Sequence, residues 1–104
     1  MTLSAQERGP EVVIVVEGEI DQSNAEELQM RLKMARNETH RICLDFMRCE
    51  FIDSEGLRAV LHTARGVREE GGELSVTNLK GDVARLFEIT GMLVEGSPIV
   101  RAPA

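Results

Sequence analysis

Residues 11–17 read EVVIVVE, five consecutive Val and Ile residues between two acids. β-Branched side chains lose rotamer freedom in a helix and pack well on a pleated surface. A run of them without polar alternation predicts a strand buried on both faces. Such a strand needs neighbouring strands and a covering layer. The 104 residues suffice for one core of that kind. That core has to be aliphatic, because the chain holds three Phe and no Trp or Tyr.

The rest of the chain supplies the cover. Residues 1–10 end in the turn signal Gly9-Pro10 and read as a short edge strand or a loose arm. GEID, 18–21, closes the EVVIVVE strand in a turn. Ser23 and Glu26 have capping-box spacing and predict a helix start. Ala25, Leu28, Leu32 and Ala35 give that helix one apolar face, and Asn37 is its expected stop. RICLDF, 41–46, reads as a second core strand, and 47–52 as a short connection that ends in a run, Phe51 and Ile52, with the look of a buried strand. From Ser54 a second helix buries Leu57, Val60, Leu61, Ala64 and Val67 and ends at Gly71-Gly72. ELSVTN, 73–78, alternates as a strand does. A third helix, from about Gly81 to Thr90, buries Val83, Leu86 and Phe87 and is capped by Gly91. MLVEG, 92–96, is expected to start a last short strand, and Pro98 and Pro103 to keep the tail irregular. Helices alternating with strands imply parallel pairing, at least in part. The prediction is a small α/β fold in one domain, 1–104, with loosely ordered ends at 1–10 and 97–104.

Eighteen acids against 12 bases give a net charge of −6. That argues against nucleic acid, whose binding depends on clustered Lys and Arg. It argues equally against an anionic membrane surface. No apolar run approaches the ~20 residues of a membrane span, and the N-terminus lacks a signal-peptide core. Cys43 and Cys49 fit no metal or redox spacing and read as reduced thiols. His40 and His62 have no partner at ligand spacing. No metal or cofactor is expected, and a cytoplasmic location is.

The stretch EFIDSEGLRAV, 50–60, places Ser54 between Asp53 and Glu55 at the mouth of the second helix. Three readings are open. As an N-cap, Ser54 would satisfy a free helix amide. As a nucleophile it would need a general base, and DSEG is not the Gly-x-Ser-x-Gly elbow. As a phosphorylation site it would add about −1.5 to −2 charges beside Asp53, Glu55 and, if the GEID turn lies near, Asp21. A partner fitted to the neutral hydroxyl would then meet like charge, which can cost several kcal/mol.

GEID at 18–21, FIDSEGL at 51–57, GG at 71–72 and RLFEITGM at 85–92, in this order, resemble the STAS domain family. Within it, the chain resembles the bacterial anti-sigma factor antagonists, over about residues 11–95. The resemblance implies a mixed sheet of about four to five strands with helices packed against it. It implies a non-enzymatic partner switch that binds an anti-sigma factor, itself a serine kinase, and is released when phosphorylated. A serine phosphatase would reset it. The phosphorylated serine of the family matches Ser54. Asp21, Asp53, Ser54, Glu55, Gly56 and Arg58 then form the expected partner-binding surface, on a monomer or weak dimer. The chain departs from the family at Glu55, where a small residue is usual, and at Arg58, where Gly is usual. These keep alternatives open: a STAS subunit of an ABC-type lipid transporter, or a constitutive interaction module without phosphorylation. Glu55 and Arg58 also have the spacing of an i, i+3 ion pair.

Overall fold

The computed structural model describes residues 1–103. In chain order its elements are β1 (Thr2–Arg8), β2 (Glu11–Ile20), α1 (Ala25–Glu38), β3 (Arg41–Ile52), α2 (Ser54–Glu69), β4 (Glu73–Thr77), α3 (Gly81–Ile89) and β5 (Ile99–Arg101). The strands form one sheet in the order β1-β2-β3-β4-β5. β1 runs antiparallel to β2 and the other pairings are parallel. This is the mixed α/β sheet expected.

Each parallel connection steps to the next strand in the same direction. Right-handed crossovers therefore lay α1, α2 and α3 on one face. Val12, Ile14, Val16, Ile42, Leu44 and Leu74 form a single core there with helix residues such as Leu28, Val60 and Val83. Phe46 of β3 meets Phe87 of α3 edge to face, with ring centroids 5.5 Å apart.

Among the described residues the second face of the sheet carries no helix, so the burial predicted for EVVIVVE is met in part. Val15 is half-buried. Val13 is only 3% exposed, but its cover comes from the sheet itself. It lies between Gln6 of β1 and Cys43 of β3. Arg8, Glu11, Arg41 and Glu73 stand beside it along the same shallow groove. Long side chains at the rim shield short ones at the centre.

Several boundaries differ from the sequence reading. Residues 47–52 are strand, not connection. Two register shifts against β2, between Val15 and Glu17 and between Gly18 and Glu19, break the period-two pattern. Past Phe46 the buried residues of β3 are Cys49 and Ile52, three apart. Residues 92–96 are turn, and the last strand is Ile99–Arg101, within the tail expected to be irregular. Both ends thus pair into the sheet as its edge strands. The capping box does not form. α1 starts at Ala25 with Asn24 as N-cap and ends at Glu38, just past Asn37.

The α2 terminus behaves as predicted. Gly71, at φ +82°, lets its own N–H reach Arg68 O and the Gly72 N–H reach Val67 O. The same pair of bonds closes α3 through Gly91 and Met92.

Candidate functional site

β3 delivers the chain to the C-terminal rim of the sheet. Ile52 is buried, and Asp53 donates its N–H to Ile20 O of β2 at 3.0 Å. Asp53 is extended (φ −101°, ψ −177°) and α2 begins at the next residue. Its carboxylate Oδ1 accepts from the Glu55 and Gly56 amides, both at 3.0 Å. Oδ2 accepts from the Gln22 amide at 2.9 Å. One carboxylate therefore caps α2, complements its dipole and pins the β2–α1 turn. The N-cap is Asp53, not Ser54; Ser54 is the first helical residue.

The β2–α1 turn is held by its own side chains. Asp21 Oδ1 accepts from the Ser23 amide at 2.9 Å and the Ser23 hydroxyl at 2.5 Å. The Ser23 hydroxyl is thus committed to Asp21 rather than to the α1 start. Asn24 Oδ1 accepts from the Asp21 N–H, and its Nδ2 donates to Glu19 O, each at 2.9 Å. The bonds from the Ser23 hydroxyl and amide hold the Asp21 carboxyl below its ordinary value of 3.8. Residues 21–24 and 53–56 are joined through Gln22, which brings Asp21 and Asp53 to one rim.

Gly56 lies under that rim, buried. A Cβ there would sit 2.5 Å from Ile20 Cγ2 and 2.9 Å from Ile52 Cγ1. It was expected among the partner-facing residues, but its place is to let α2 approach the sheet. Ser54 is exposed, as is Arg58, and Glu55 is half-buried. Arg58 Nη1 lies 3.3 Å from Glu55 Oε1, the pair foreseen from spacing.

A groove of about 450 Å³ opens beside these residues, between α1 and α2. Gln22, Glu26 and Gln29 line it from the α1 side; Glu55, Arg58 and His62 from α2. The sequence reading did not assemble this wall. Its signal was the spacing 55, 58, 59, 62, which is one helical stripe beside the apolar face. Phe51 was also missed. It is 44% exposed, three residues before Ser54, while the other two Phe are fully buried.

Among the described residues the Ser54 hydroxyl has no hydrogen-bond partner in the protein. His40 precedes β3, at the opposite end of that strand. His62 is eight residues along α2, about 12 Å of helical rise. Neither histidine reaches Ser54 as a general base. Among the described residues no group of three His, Cys, Asp or Glu could hold a metal ion. No helix there is long and apolar enough to cross a membrane.

A family model described as "Mlab, STAS domain" matches residues 3–98. BtrV of Bordetella bronchiseptica, a candidate anti-sigma factor antagonist, is 36% identical over 83 residues, spanning 79% of this chain and 72% of BtrV. The anti-sigma-B factor antagonist of Bacillus subtilis is 33% identical over 84 residues, 79% of this chain and 75% of that protein. The solved structure of the Bacillus cell fate determinant SpoIIAA in its phosphorylated form superposes with a TM-score of 0.74 at 23% identity, over 97% of this chain and 91% of that one.

Proposed function

The chain belongs to the STAS domain family, and we propose that it is an anti-sigma factor antagonist whose binding is switched by phosphorylation of Ser54. The observation that carries this reading is the division of labour between Asp53 and Ser54. Asp53 takes the capping duty, with three amides on its carboxylate. The Ser54 hydroxyl is left exposed and without a structural task. A kinase can modify it without unfolding α2. The added charge falls on a rim already holding Asp21, Asp53 and Glu55. BtrV and the Bacillus subtilis antagonist, both more than 30% identical, support the antagonist part of this reading.

The partner in this reading is an anti-sigma factor that is also a serine kinase, with a serine phosphatase as the resetting enzyme. The domain itself is a cytoplasmic binding protein, not an enzyme. Asp21, Asp53, Ser54, Glu55 and Arg58 form its contact surface around the α1–α2 groove.

The test is phosphopeptide mass spectrometry after incubation with ATP and candidate serine kinases of the anti-sigma factor class. Phosphate is expected on Ser54 and absent from Ser54→Ala, which still folds and binds. Phosphate persisting on the variant would remove Ser54 from the mechanism. The departures from the family pattern at Glu55 and Arg58 keep a second reading open, a STAS subunit of an ABC-type lipid transporter. Copurification of a transport ATPase, with no kinase acting on Ser54, would establish that one.

A further inference from the structure

A phosphate on Ser54 meets a helix start whose Glu55, Gly56 and Leu57 amides are already engaged. The Glu55 and Gly56 amides both bond Asp53 Oδ1. The same carboxylate holds Gln22 through Oδ2, and the Leu57 N–H bonds Asp53 O at 3.0 Å. Using the first two amides would mean displacing Asp53 from the bonds that cap α2.

The charges around the hydroxyl are mostly of the wrong sign for a phosphate. Asp53 and Glu55 flank it on α2, Asp21 stands on the β2–α1 turn, and Glu26 on α1 lines the adjoining groove. Arg58 is the cation one turn along α2, at i, i+4 from Ser54, the spacing at which helix side chains meet. His62 lies another turn away. Among the described residues Arg58 is held by Glu55 alone, at 3.3 Å, with 73% of its side chain exposed. Such a pair is weakly held. A dianionic phosphate offers the guanidinium fork more charge and more acceptors than one carboxylate does.

Resting on the reading of Ser54 as the phosphoacceptor, we infer that Arg58 is the counter-ion of the phosphate and leaves Glu55 to reach it. Phosphorylation then does two things to the surface. It adds the phosphate, and it strips Glu55 of its cation at the mouth of the α1–α2 groove. The unphosphorylated protein presents a neutral Glu55–Arg58 pair to its partner; the phosphorylated protein presents a bare carboxylate there. Arg58 thus makes the groove report the state of Ser54.

The experiment uses the full chain with phosphoserine inserted at position 54 by amber-codon suppression. No kinase is involved, so a failure of the kinase assay leaves this result standing on its own. The phosphate is titrated by ³¹P NMR, from an ordinary second pKa of about 6. Arg58→Gln should raise that pKa by roughly 0.15–0.7 units, the size exposed ion pairs give. Glu55→Gln should lower it, because Arg58 is freed and a like charge removed. Arg58→Lys should recover part of the shift. The Glu55 and Gly56 amides should show no hydrogen-bond scalar coupling to the phosphorus. An unchanged pKa in Arg58→Gln overturns the inference. So does a hydrogen-bond scalar coupling from either of those amides to the phosphorus, which would show that the phosphate has displaced Asp53.

Discussion

Replacing Gly56 with Ala changes the packing under the rim and leaves every exposed side chain of the site in place. Two effects oppose each other. Ala is a better helix former than Gly by up to about 1 kcal/mol in a helix interior, and by less in a first turn. Against this, the new Cβ would lie 2.5 Å from Ile20 Cγ2 and 2.9 Å from Ile52 Cγ1. Carbon atoms pack best at roughly 3.5–4.0 Å. Ile20 is 0% and Ile52 4% exposed, so neither has open space to move into. Forcing an extra methyl into a closed core costs about 1–3 kcal/mol. With two contacts this short the upper half of that range applies, and the net loss is about 1–2 kcal/mol. Each kcal/mol shifts Tm by about 4–8 °C in a domain of this size. Thermal and urea melts followed by circular dichroism should therefore show Tm lower by roughly 5–15 °C. A variant as stable as the parent, or more stable, would refute the close approach of α2 to Ile20 and Ile52.

Other consequences are as specific. Asp53→Ala should lower the urea midpoint by an amount equivalent to about 1–2 kcal/mol, whereas Asp53→Asn, itself a good cap, should lose less than half of that. Ser23→Ala should return the Asp21 carboxyl toward 3.8, read by NMR of its side-chain carbon. A depressed folded-state pKa stabilises above the unfolded value and is lost as pH falls through the folded one. The variant should therefore show a shallower loss of stability below about pH 4. Burial pushes both the Cys43 and Cys49 thiols up. At pH 8 they should react with a thiol reagent slowly in the native protein and rapidly in denaturant, and a fast native reaction would show that one of them is open to solvent.

The elements legible in the sequence were those whose signals are local. Leu57, Val60, Ala64 and Val67 mark one helix face, and Gly71 supplies a positive φ after its last turn. The second half of β3 was illegible, because its two shifts against β2 replace alternation with a spacing of three. β5 is three residues long and follows a proline, too short to carry a pattern. At the α2 start two good capping residues stand side by side. The choice between them is made at a distance, by the Asp53 amide on Ile20 O and the Gln22 amide on Asp53. Ser23 misled for the same reason, since its hydroxyl is drawn back to Asp21 rather than forward to the helix. The meeting of Asp21 with the Asp53 rim followed from family likeness, not from any pattern in the residues. The wall of Gln22, Glu26 and Gln29 needed the fold.

The central claim is that a partner reads the bare Ser54 hydroxyl at the start of α2. Its most direct test is the affinity of a serine kinase of the anti-sigma factor class for two forms of the protein, with serine and with phosphoserine at position 54. The measurement is isothermal titration calorimetry at physiological salt. The account predicts binding of the serine form and a loss of affinity of at least tenfold, about 1.4 kcal/mol, on phosphorylation. Equal affinity for the two forms would contradict it.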